Sequence, residues 1–154
     1  VGEHNAEGAL GIVLNRTLSI TVQEALPALS HLVPPDEPLF QGGPVQPENP
    51  VILAEFSDPE SADLLVFAAV GFLVGVESDG MKPRLLRARV FAGYSGWGPG
   101  QLEAEMAAHS WITEPALVDD VFTDAPDFLW SRVLERKGPK YRQLSRMPYD
   151  PSMN

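Results

Sequence analysis

Residues 85–109 read LLRARVFAGYSGWGPGQLEAEMAAH, and the parsing of this stretch decides the fold. Leu86, Ala88 and Val90 alternate with Arg87 and Arg89, the period of a strand with one wet face. Gly93, Gly96, Gly98 and Gly100 make a glycine-rich turn around Trp97, and Gln101 to His109 follows as a helix. Helical spacing puts Leu102, Met106 and His109 on one face of it and Glu103 on another.

Upstream, Ala9 to Leu14 is apolar at every position, as in a strand buried on both faces. Thr21 followed three residues later by Glu24 is a capping box for a short helix to about Leu29. Pro27 makes that helix brief or kinked. Gly42-Gly43-Pro44-Val45 is a tight turn, Val51 to Glu55 a strand, and Pro59 the first residue of a single helical turn after Asp58. The longest apolar run, Leu64 to Val76, is too short for the roughly 20 residues of a membrane span. It reads as buried strand divided at Gly71.

Downstream, Trp111-Ile112 and Val121-Phe122 are short strand candidates. Asp124 caps a helix over Pro126 to Lys137 that buries Leu129, Trp130, Val133 and Leu134 and stops at Gly138. Strands outnumber helices without regular alternation, which predicts α+β with a mixed, mainly antiparallel sheet. Residues 1–138 form a single domain, and 139–154 a basic, proline-containing tail that is irregular from Tyr141.

The chain has 154 residues and a net charge of −10. Residues 1–81 hold one base, Arg16, against twelve acids; Lys82 to Arg89 hold four bases and no acid; 90–131 hold seven acids and no base. The last 23 residues carry Arg132, Arg136, Lys137, Lys140, Arg142 and Arg146 against two acids. An acidic body opposes a phosphate backbone, because DNA affinity comes largely from counterion release. Direct DNA contact is therefore confined to 132–146. There is no cysteine, which removes disulfides, thiolate metal sites and a cysteine nucleophile. With no signal or membrane segment in view, the chain is expected to be cytoplasmic.

Several patterns invite a chemical reading. The glycine turn lacks the phosphate-loop Gly-Lys-Ser/Thr ending, Pro99 removes an N–H donor, and Glu103 in the first helical turn would repel an anion. Gly93-Tyr94-Ser95 begins a nucleophile elbow, but Trp97 stands where a glycine is required. His4 with Glu7, completed by His109, is a thin metal set without a zinc motif's spacing. In a turn before the first buried strand, Asn5 and Gly8 supply the positive-φ positions. Glu7, Glu103 and Glu105 could furnish a carboxylate pair for acid–base work.

Three segments, taken together, identify a resemblance. They are Glu3–Arg16 (EHNAEGALGIVLNR), Phe40–Val45 (FQGGPV), and Phe91–Glu105 (FAGYSGWGPGQLEAE) followed by Ser110-Trp111. In order and spacing they resemble the YqgE/AlgH family of small bacterial proteins, across essentially the whole chain. The resemblance implies a bent sheet curled into a partial barrel with helices packed outside. Members usually have a segment and a first strand before Glu-His-Asn, so an N-terminal segment is expected ahead of residue 1. The family brings no established activity, cofactor or catalytic residue, and its members often carry a transcription-regulator label. His4, Asn5, Glu7, Asn15, Arg16, Gly42, Gly43, Trp97, Gly98, Gln101 and Glu105 match its motifs and form the candidate binding cleft.

The expectation is a non-catalytic binding or regulatory module, with no cofactor or metal. Its partner would be an unknown ligand or protein, with any effect on transcription indirect, and the chain a monomer or weak homodimer. Two alternatives stand beside it: a small-molecule enzyme, such as a hydrolase, using His4 with Glu7 or Glu105, and a nucleic-acid binder through 132–146. Convergence of His4, Glu7, Arg16 and Glu105 in one pocket would favour the enzyme or ligand reading.

Overall fold

Glu3–Asn5 (β1), Gly8–Gly11 (β2), Thr17–Thr21 (β3), Pro38–Gln41 (β4), Val45–Phe56 (β5), Leu64–Phe67 (β6), Val70–Leu73 (β7) and Leu85–Trp97 (β8) join in one branched sheet. The computed structural model describes residues 1–74 and 84–147. Gly75, Val76, Lys82, Pro148 and Pro151, which entered the sequence reading, lie outside that range.

β8 is the spine. Along one edge it pairs antiparallel with β5, Ile52 facing Val90 and Ala54 facing Ala88. Its other edge changes neighbour: Phe91 and Ala92 pair in parallel with Phe40 and Gln41 of β4, and Ser95 to Trp97 pair antiparallel with Gly11 to Ala9 of β2. The order β1-β2-β8-β5-β7-β6, with β4 branching off β8 and β3 paired beyond it, bends the sheet into a partial barrel. The expected α+β architecture is thus present, with the glycine-rich 93–97 inside the strand rather than in a loop.

Alternation with period two sorts the strand side chains onto two faces. Val22, Leu39, Ile52, Ala54, Phe56, Ala88 and Val90 pack on one. Phe40, Leu53, Val70, Phe72, Phe91, Val121 and Phe122 pack on the other. The first face is covered by α1 (Val22–Ala25) and the 3-10 turn Pro27–Leu32. The Thr21–Glu24 capping box forms, and the α-helix stops before Pro27. The second face is closed by α3 (Val118–Val121).

Several expectations differ from the structure. Arg89 is buried rather than wet, because it lies opposite Leu53 within the second core and each nitrogen of its guanidinium has a partner: it donates to Glu37, to the Val121 carbonyl and to the Thr123 carbonyl, over the Phe40 ring. The 64–73 hairpin turns at Ala68, at φ 48°, and not at Gly71, which lies within β7. There a Cβ would stand 2.7 Å from that of Ala62. The regular strand expected over 9–14 ends at Gly11, and Asn5 has no positive φ.

Trp111-Ile112 is irregular and Val121-Phe122 ends a helix. The helix expected over 126–137 is a 3-10 turn, Pro126–Phe128, followed by α4 (Leu129–Lys137), with Ala125 rather than Asp124 at the first cap and Trp130 exposed. Gly138 does end it, at φ 125°. Beyond it, Pro139–Tyr141 is a 3-10 turn and Arg142–Ser145 a helical turn (α5), so the expected irregularity from Tyr141 does not hold there.

Candidate functional site

β8 delivers Trp97 to the start of α2 (Gln101–Ala107) through a three-residue turn. Gly100 caps the helix at φ 74°, and the Gly98 amide donates to Gln101 Oε1 at 3.1 Å. One turn of helix separates Gln101 from Glu105, which puts both on one face, and Gln101 Nε2 donates to Glu105 Oε1 at 3.0 Å. His109, in the left-handed region at φ 57°, reverses the chain after α2 and ends the expected apolar face at Met106. That reversal brings Trp111 back beside Glu105. Trp111 Nε1 donates to Glu105 Oε2 at 2.7 Å and Trp97 Nε1 to the same oxygen at 3.0 Å. The two rings meet edge to face, their centroids 5.9 Å apart.

Glu105 therefore accepts three N–H donors: Trp111 first and Gln101 second hold its carboxyl below the usual range, burial opposes them, and Trp97 adds the least. Three of the roughly four acceptor sites of this carboxylate are thus engaged by the side chains around it.

Beneath the indoles lies a cleft of about 630 Å³. Ile12, Val13, Leu102, Met106 and Ile112 line it with the two tryptophans, and His4, Ser95, Thr113 and Glu114 add polar atoms. Gly11 forms its floor under Trp97, where a Cβ would sit 3.0 Å from the ring. His4 Nε2 stands 2.7 Å from Glu103 Oε1, fastening β1 to α2. The carboxyl of Glu103 is held below its usual range by its own amide first and by His4 second.

The eleven candidate residues do not share one pocket. His4 and Trp97 line the cleft, and Gly98, Gln101 and Glu105 frame it. Asn5 and Glu7 line an adjoining hollow of about 440 Å³ with Glu3, Tyr94 and Trp97. There the Glu7 amide donates to Asn5 Oδ1 at 2.8 Å, and Asn5 donates to Glu3 at 2.9 Å. Asn15 and Arg16 line a third cleft with Thr17, Gln41 and Asp127. Gly42 and Gly43 pack on the spine, where Cβ atoms would meet the Gly93 carbonyl and the Tyr94 backbone, each at 2.2 Å.

His4 is thus joined to Glu103, not to Glu7 or Glu105. Ser95 is a mid-strand residue opposite Gly11 rather than an elbow nucleophile. Among the described residues no group of three or more His, Asp or Glu is placed to hold a metal ion. Sequence reasoning placed neither Trp111, Ile112 nor Ser95 in the cleft. Ser110-Trp111, at the end of the third matching segment, was the available signal for the first.

The basic segment is partly committed inward. Arg132 donates to Thr123 Oγ1 at 2.8 Å, Arg136 grips both oxygens of Asp120 at 2.9 and 2.7 Å, and Lys137 donates to the Thr113 carbonyl at 2.6 Å. Burial alone would raise the Asp120 carboxyl, but the Arg136 bonds, the Leu117 amide and the charges of Arg136 and Arg132 outweigh it and lower it. Among the described residues no helix is long and apolar enough to cross a membrane.

A bent, branched, mainly antiparallel sheet that braces two indoles on one glutamate over an apolar cleft defines a small α+β protein built around a preformed hollow. The AlgH-like family profile matches residues 1–142, and the chain belongs to that family. A UPF0301 protein of Chlorobaculum tepidum is 36% identical over 99% of this chain and 82% of its own length. One from Mycobacteroides abscessus is 38% identical over 99% and 76%. The crystal structure of a Corynebacterium diphtheriae protein superposes with a TM-score of 0.82 at 24% identity, covering 94% of this chain and 79% of that one. The solution structure of AlgH from Pseudomonas aeruginosa does so at 0.68 and 28%, covering 96% and 82%.

Proposed function

We propose that this protein is a non-catalytic binding module of the bacterial cytoplasm that acts in regulation through what its tryptophan cleft holds. One observation carries the reading: the Glu105 carboxylate is taken up by three N–H donors and serves as a brace. The hollow it braces is apolar with a few polar atoms at its wall, and its volume lies within the roughly 300–1,000 Å³ of small-molecule sites. A small apolar or aromatic ligand suits it.

The test is an amide NMR titration of the full chain with indole and apolar fragments. Shifts confined to residues 11–13, 95–97, 102–106 and 111–112, lost in Ile112→Asp, are expected. Shifts scattered over the surface, or turnover of an ester or amide substrate that His4→Ala abolishes, would overturn the reading.

A further inference from the structure

One wall of the tryptophan cleft is built unlike the others. Ile112, Thr113, Glu114 and Ala116 line it, from a segment, 110–117, with neither helix nor strand. Among the described residues no backbone–backbone hydrogen bond reaches 111–116. Side chains hold it instead. At its start Trp111 is tied to Glu105, and at its end the Leu117 amide donates to Asp120 Oδ2 at 2.9 Å. Between those points every hydrogen bond and ion pair among the described residues comes from two consecutive residues in the last turn of α4. Lys137 Nζ reaches the Thr113 carbonyl at 2.6 Å and Glu114 at 3.4 Å. Arg136 reaches the Pro115 carbonyl at 3.1 Å and lies 3.9 Å from Glu114. The opposite wall, residues 11 and 95–97, belongs to the β2–β8 ladder and cannot move without opening the sheet.

A wall held by two cations can part from its neighbours at a cost far below that of unfolding, since local openings cost least where backbone ladders are missing. We propose that residues 110–117 are a gate on the cleft, latched by Arg136 and Lys137, and that loss or screening of those two charges opens it. The proposal rests on the binding reading for what the gate admits, and on the contacts alone for the gate itself. Two of the basic C-terminal residues thereby control access to the cleft.

The test is hydrogen exchange of the full chain without ligand, followed by NMR at two hydrogen-bonded N–H groups of the segment, the Trp111 indole and the Leu117 amide, and compared with 52–56 and 88–91. In Lys137→Met, exchange at the Trp111 indole and the Leu117 amide is expected to rise about tenfold or more, the scale of losing a charge-assisted bond, with 52–56 and 88–91 unchanged. In the unaltered protein, raising sodium chloride from about 0.05 to 1 M shortens the screening length to about 3 Å and is expected to accelerate the same segment selectively. This arm does not depend on whether the variant folds. Equal exchange at the Trp111 indole and the Leu117 amide at both salt concentrations, or acceleration of these together with 52–56 and 88–91, overturns the gate. Failure of the apolar titration above would remove the binding reading while leaving these exchange results standing.

Discussion

Arg89 donates through its Nη1 to the main-chain carbonyl of Val121 at 2.8 Å, tying the spine strand of the sheet to the end of α3 across a buried gap. The same guanidinium also reaches Glu37 at 3.0 Å and the Thr123 carbonyl at 3.0 Å. Replacing it strands two carbonyls and a carboxylate at once. Arg89→Met is expected to cost roughly 3–5 kcal/mol, the range for breaking a buried pair by removing one partner. Urea unfolding checks this, and a loss below about 1 kcal/mol would contradict it.

The glycines divide into two kinds with opposite expectations. Gly8 combines φ 138° with a Cβ site 2.2 Å from the Trp97 carbonyl, whereas a Cβ at Gly98 meets nothing within 4 Å. Gly8→Ala is expected to destabilise by more than about 2 kcal/mol, from strain and clash together. Gly98→Ala should be neutral or gain up to about 1 kcal/mol by restricting the unfolded chain. Thermal melts of the two variants side by side decide it.

Glu24, Glu103, Glu105 and Asp120 all have carboxyl groups held below their ordinary range. A lowered folded pKa means that the unfolded chain binds protons more readily. The associated stability is present above the unfolded values near pH 4 and is lost as pH falls through the lower folded ones. Because Glu105 and Asp120 hold opposite ends of the cleft wall, tryptophan emission should change below about pH 4 before circular dichroism does. Coincident transitions would contradict this order.

Of the six C-terminal bases, only Lys140, Arg142 and Arg146 make no side-chain hydrogen bond or ion pair among the described residues. Three charges allow a salt slope in DNA binding of at most about −2.7, against about −5.4 for six. No saturable binding, or a slope no steeper than the first value, is expected in a filter assay on duplex DNA. A slope near about −5 would revive the nucleic-acid reading.

What is legible in the sequence is what local chemistry decides. The Thr21–Glu24 cap, the stop at Gly138 and the Pro27 break each depend on neighbours within a few residues. Alternation misplaces Arg89 because it says which side of a strand a residue takes, not what lies there; its partners come from 32 to 52 residues away. Gly71 reads as a break since close approach and reversal leave the same letter, and the left-handed turn falls to Ala68. At the site, the motif residues are visible but their grouping is not. His4 meets Glu103 across 99 positions, and the fastenings of Trp111 follow from a chain reversal that only the backbone at His109 reveals.

The neighbours of the spine strand have a consequence for synthesis. β2, β4 and β5 all precede β8 in the chain, and all three bond to it. A nascent polypeptide released only as far as Arg84 can pair β1 with β2, β3 with β4, and β5 with β7, but it lacks the strand that joins those pieces into one sheet. Assembly must wait until Leu85 to Trp97 has left the ribosome, and until then the apolar faces of three separate fragments stand open to a chaperone.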